Sequence, residues 1–167
     1  MNNFFLPFVT CFFFALTAIG IDFDFKDPKG VNNIIFQMDA PLESINGSGD
    51  GISGKVSFDP SKPENTKGTI FLEAKSRHVG NPVLKEHMHG EDWLNVEKFK
   101  LIKFKLSKLD NLRKVKNDFL ADAKGKMSIR NVTIEMNIPI KITYLKDLLI
   151  KRNRTPGDLL IIRSNFI

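Results

Sequence analysis

Val132-Thr133-Ile134-Glu135-Met136-Asn137-Ile138-Pro139-Ile140-Lys141-Ile142-Thr143-Tyr144 is the stretch on which the fold turns. Val132, Ile134, Met136, Ile138, Ile140, Ile142 and Tyr144 alternate with six residues that are polar, charged or proline. The period is 2, whereas an amphipathic helix needs apolar residues at intervals of three and four. A strand points successive side chains to opposite faces, so this one carries an apolar side and a wet side. Upstream, across Arg130-Asn131, a second long series alternates in the same way: Phe119, Ala121, Ala123, Gly125, Met127 and Ile129. Two long strands separated by two residues read as a tight antiparallel hairpin.

Working outward, the same period recurs at Ile34, Phe36 and Met38, at Ile52, Gly54, Val56 and Phe58, at Ile70, Leu72 and Ala74, and at Ile102, Phe104 and Leu106. Leu159 to Phe166 reads as a last strand after the Thr155-Pro156-Gly157-Asp158 turn. Asn46 to Gly51 reads as a turn or short loop. Asp59 to Asn65 holds two prolines, which lack the N–H that a central strand needs. Asn81 to Phe99 breaks the pattern: its apolar residues fall at spacings of three and four, predicting one or two short helices. The expectation is all-β, about eight antiparallel strands closed into a barrel or folded as a sandwich, with a helical insertion after the fourth.

The chain has 25 Lys+Arg against 19 Asp+Glu, a net charge of +6, which permits an anionic partner without demanding nucleic acid. A single cysteine excludes a disulfide framework and Cys-rich metal sites. From Phe4 to Ile19 the sequence is apolar and uncharged, too short for a comfortable membrane span and ending in the small-residue pattern Ala18-Ile19-Gly20. Residues 1–20 are expected to be a signal peptide cleaved before Ile21, leaving 21–167 as one domain without a membrane span. The region before the apolar run has no Lys or Arg; the α-amine alone supplies its positive charge.

Candidate chemical sites are few. His87 and His89 sit at i and i+2, a spacing that does not share a helix face. With His78 they make a conceivable metal set; the simpler reading is helix capping or backbone hydrogen bonding. No phosphate loop, nucleophile elbow or His-Glu-x-x-His motif is present, so no enzyme activity is expected. Lys98, Lys100, Lys103, Lys105 and Lys108 form one basic run and Lys151-Arg152-Asn153-Arg154 a second, read as lying in a loop. Aromatic side chains do not interleave with the first on its wet face, so no nucleic-acid partner is expected. Either cluster suits an anionic headgroup near a barrel mouth. Small residues recur on the apolar faces at Gly54, Ala74, Ala121, Ala123 and Gly125. They either leave space for a ligand or face bulky neighbours across a solid core.

Several segments in order resemble the YceI-like family of secreted, polyisoprenoid-binding bacterial proteins. Gly54-Lys55-Val56-Ser57-Phe58-Asp59-Pro60 resembles its strand ending in F-D-P. Glu86 to Phe99 resembles its E-H-L segment and the D-F-L-D-V-E-K-Y-P that follows, Ile102-Lys103-Phe104 its next strand, and Gly125 to Thr133 its G-x-L-T-I-H-G-V-T, with Asn131 at the usual glycine. The resemblance runs from about Phe25 to the C-terminus. It implies a lipocalin-like, extended antiparallel β-barrel with a short helical insertion, secreted or periplasmic. It implies no catalysis or cofactor, and a tunnel holding an isoprenoid or other long-chain amphiphile. Ile34, Phe36, Val56, Phe58, Ile70, Leu72, Phe104, Ala121, Ala123, Met127, Ile134, Met136 and Ile138 are expected to line it. Members usually continue through R-S-D-F-G-I and one or two closing strands, whereas this chain stops at Arg163-Ser164-Asn165-Phe166-Ile167. The expectation is therefore a barrel short of closing strands, with an open edge through which two copies can pair as a homodimer. A barrel remnant without function is the alternative.

Overall fold

The computed structural model describes residues 20–167; the expected signal peptide lies outside the described residues except for Gly20. Ten strands follow in order: β1 (Ile21–Asp24), β2 (Ile34–Ala40), β3 (Glu43–Gly49), β4 (Ile52–Phe58), β5 (Lys67–Glu73), β6 (His78–Val79), β7 (Leu101–Val115), β8 (Asp118–Ile129), β9 (Val132–Leu145) and β10 (Leu159–Ser164). Helix α1 spans Pro82–His89, between β6 and β7, and α2 spans Leu149–Asn153, between β9 and β10. Every strand pair is antiparallel. Seven strands, in the order β1-β4-β5-β7-β8-β9-β10, form one sheet that curls into a nearly closed barrel; β2-β3-β6 form a second, small sheet.

The hairpin read from the sequence is β8–β9, in continuous register from Asp118↔Thr143 to Ile129↔Val132. Its two-residue turn places Arg130 at φ 54°, in the left-handed region, as tight hairpins require. Pro139 lies inside β9, and its carbonyl accepts a hydrogen bond from Ser164 Oγ of β10 at 2.7 Å. A residue's N–H and C=O point to the same side of a strand, so the missing donor faces β10 and the ladder to β8 is intact.

β7 is longer than its alternation suggests. A register shift between Leu106 and Lys108 moves the inward positions from even to odd numbers, so Leu109 is buried; a second, between Asp110 and Arg113, moves them back. One added residue per irregularity is what a β-bulge does, and it hides the period beyond Leu106.

Three local readings are corrected. Asn46 to Gly49 belong to β3, so only Asp50-Gly51 of the expected loop connect two strands, and a further turn sits at Pro41-Leu42. Gly47 serves packing: the Phe36 ring lies against it, and a Cβ there would also meet the His78 carbonyl at 2.7 Å. Ala74 is buried in a 3-10 turn, Ala74–Ser76, and lies beyond the end of β5. The second basic cluster lies in and just after α2, where Arg152 pairs with the buried carboxylate of Asp27.

That pair ties the loop after β1 to the segment before β10, the two edges of the large sheet. Across the same seam Phe23 meets Tyr144 edge to face, with ring centroids 6.4 Å apart. The core fills one end of the barrel. Phe58 and Ile142 are fully buried and Phe119, Ala121 and Leu160 nearly so, with Phe23, Phe25, Leu112 and Tyr144 packed around them.

Candidate functional site

The other end of the barrel is hollow. A cavity of about 1040 Å³ lies between the large sheet, the β2-β3-β6 sheet and α1. Its wall includes Ile102 and Leu109 of β7, seven residues apart. One of those residues is taken up by the bulge after Leu106, so at about 3.3 Å per residue the positions are roughly 20 Å apart along the strand and the space is elongated. It is open to solvent, because Trp93, Ile134 and Phe166, which line it, are about half exposed.

Ile34 and Phe36 reach the cavity from β2, Val56 from β4, Ile70 and Leu72 from β5, and Phe104 from β7. Ala123 and Met127 reach it from β8, and Ile134, Met136 and Ile138 from β9. Phe58 and Ala121 do not: both are in the packed end, where Phe58 meets Phe119 edge to face with ring centroids 5.6 Å apart. Val56, Leu109, Ala123, Ile138 and Ile142 belong to both the core and the cavity wall, and so mark its deep end. The small inward residues divide into two kinds. Ala123 leaves room, whereas the missing side chain of Gly125 is replaced by the Phe104 ring, whose Cζ a Cβ there would meet at 2.6 Å.

α1 covers the mouth. Asn81 caps it, its side-chain oxygen accepting from the Val83 and Leu84 N–H groups, and Pro82 opens its first turn without needing a partner. The helix lays Leu84 and Met88 on the cavity, and the following turns add Leu94 and Trp93. Trp93 touches the cavity but is 55% exposed. Arg130 holds that turn, donating to the Trp93 carbonyl at 2.6 Å while lying over the Phe99 ring.

Polar groups in the wall are few. Thr66 donates to the Pro63 carbonyl at 2.5 Å, and Ser164 to Pro139, so both are satisfied. His87 is exposed at the mouth. His89 Nε2 lies 2.9 Å from the Arg77 carbonyl, and His78 is exposed on β6. Among the described residues no three His, Cys, Asp or Glu side chains gather as metal ligands, so the three histidines do not form the conceivable set.

Arg77 is the exception. It is 8% exposed, lines the cavity, and leaves Nε and Nη2 without a hydrogen-bond partner. Burial lowers its pKa, but a guanidinium starts so high that it stays protonated at neutral pH. Neither basic cluster singled out from the sequence enters the cavity wall; its buried cation is Arg77. The signal lay in Ser76-Arg77-His78-Val79: strand alternation puts Arg77 on the same side as Val79, which is 3% exposed, while His78 faces out. A two-residue strand is too short to reveal that period.

Residues 28–166 match the family model described as the YceI-like domain. The fold is similar to the crystal structure of BcnA from Burkholderia cenocepacia, at 16% identity and TM-score 0.51, over 79% of this chain and 91% of that one. It is also similar to the YceI protein of Campylobacter jejuni, at 15% identity and TM-score 0.52, over 84% and 95%. A mutant of that protein with a monobromobimane guest gives 14% identity and TM-score 0.53, over 84% and 95%. No curated protein matches the sequence.

Proposed function

The chain belongs to the YceI-like family, and from that premise we propose that it is a lipid-binding protein whose cavity holds an isoprenoid or similar long-chain amphiphile, as a carrier or a sequestering agent. The observation that carries this reading is the elongated, apolar cavity of about 1040 Å³ beside a solid core. An apolar chain entering it leaves water, at about 25 cal/mol per Å² of surface removed. Its length and almost wholly hydrocarbon wall favour a flexible chain over a compact polar metabolite. The family is a binding-protein fold, and the cavity wall offers no nucleophile with a base beside it.

The working location proposed is the periplasm or the medium, after removal of residues 1–20. Among the described residues no helix is long and apolar enough to cross a membrane. β1 begins at Ile21 and pairs Ile21 with Phe58, so cleavage before Ile21 leaves the first strand whole. N-terminal sequencing of exported protein should begin at or near Ile21, and material still starting at Met1 would refute the cleavage.

The function is tested by extracting the purified folded protein with organic solvent and identifying the extract by mass spectrometry. The stripped protein is then titrated with a C20 isoprenoid alcohol. A co-purified long-chain lipid, or saturable binding of the alcohol, supports the reading. A folded protein that yields no lipid and binds no alcohol refutes it.

A further inference from the structure

We propose that Arg77 is the headgroup site of the cavity, and that the ligand is a long-chain oxyanion, a carboxylate or a phosphate, rather than a neutral chain; this rests on reading the cavity as a lipid site.

The guanidinium is buried against the cavity with two unpartnered nitrogens, Nε and Nη2. Those two are shielded from the open space as well as unpaired, so what an oxyanion head would meet is the uncompensated positive charge and the part of the guanidinium that lies at the cavity wall. A buried charge without a partner is costly, so a protein that keeps one without an internal counterion has a use for it. The internal counterion is absent: Arg77 makes no ion pair among the described residues, and the cavity wall contains neither Asp nor Glu. The other ionisable side chain in the wall is again not an acid but His87, at the mouth.

The arginine is also held in place. Its stem crosses Gly49, where a Cβ would come within 3.1 Å of Arg77 Cγ, and the buried Gly49 thus leaves room for it. His89 fixes the backbone from α1 through the Arg77 carbonyl at 2.9 Å. Ala74, three residues before it, donates to the Lys100 carbonyl at 2.8 Å, which sets Arg77 near the start of β7. The deep end of the cavity lies at Leu109, further along the same strand. A head at Arg77 therefore leaves the tail the length of the apolar wall.

The test uses the full chain, stripped of lipid, and three probes of equal chain length: hexadecanoate, hexadecyl phosphate and hexadecanol. Wild type should bind the two anions about ten- to a hundredfold tighter than the alcohol, the scale of a charge-assisted pair. Whichever anion binds tighter identifies the headgroup as carboxylate or phosphate. Arg77→Met should abolish that preference, leave alcohol binding within about threefold of wild type, and unfold no more easily, since it removes an unpaired buried charge. Arg77→Lys, which keeps the charge but not the planar guanidinium, should retain part of the preference.

Equal binding of anions and alcohol by wild type, or a preference that survives in Arg77→Met, overturns the headgroup assignment while leaving the lipid site standing. Failure of all three probes to bind folded wild type overturns both. Should Arg77→Met not fold, the wild-type ratio and Arg77→Lys decide.

Discussion

Ala121 and Ala123 point the same way from β8, two residues apart, yet the structure gives them opposite surroundings. Ala121 is 6% exposed inside the packed end, among side chains such as Phe58 and Phe119. Ala123 is as buried, at 4%, but it also forms the deep wall of the cavity. A phenylalanine at either position must find space for a ring. A ring fits an apolar space of about 150 Å³, roughly one-seventh of the cavity's 1040 Å³. Ala123→Phe can turn its ring into that space, gaining burial and losing some side-chain freedom, for a net change of about 0 to +1 kcal/mol in the lipid-free protein. Ala121→Phe has no such space and overpacks the core, at a cost of about 1–3 kcal/mol. With a urea m-value of about 2 kcal/mol/M, the two midpoints should differ by roughly 1 M. Ala123→Phe should also block the deep end, so affinity for a long chain should fall more than affinity for a short one. Urea denaturation of both stripped variants, with titration by a C16 and a C10 fatty acid, measures each effect. Equal destabilisation by both substitutions, or equal loss of both chain lengths in Ala123→Phe, would show that position 123 does not border open space.

Gly125→Ala should destabilise by about 1–3 kcal/mol, because the new Cβ would meet the Lys105 carbonyl at 2.5 Å and the Phe104 ring; chemical denaturation of the single variant checks it. Tyr144 donates to Asp158 Oδ2 at 2.6 Å, and that hydrogen bond, with burial and the acid's charge, pushes its pKa up to about 12 from 10.0. The folded value is raised, so this stabilisation is complete below pH 10 and is lost as pH rises towards about 12. Asp158 is lowered chiefly by the same bond, so its contribution is complete above its ordinary value of 3.8 and fades as pH falls through the folded one. Tyr144→Phe should remove the alkaline dependence; denaturation midpoints across pH, with phenolate absorbance of the chain's only tyrosine, measure it. Trp93, the only tryptophan, should emit between buried and exposed indole, be quenched by iodide, and shift to the blue when a long-chain ligand enters, since it is 55% exposed at the mouth. Emission insensitive to a bound ligand would place it away from the site.

Period-2 alternation was enough to show that β4, β5, β8 and β9 are strands and which side of each is apolar, because that period is a property of the extended backbone itself. The Arg130-Asn131 hairpin was equally legible, since two residues between long strands leave little geometric choice. The bulges of β7 were not, because they change the period where a reader relies on it, and β3 was hidden by its glycines, of which Gly47 makes room for the Phe36 ring and Gly49 for the Arg77 stem. Alternation named inward residues without saying what lies inward. Ala121 and Ala123 are the same residue in the same phase, and only the curl of the sheet over β2, β3 and α1 puts one in a solid core and the other on open space. Arg77 shows the same division most sharply. Its charge is written in the chain, but its burial without a counterion depends on which strands and helix meet around it, and packing at that range is decided by contacts between residues far apart in sequence.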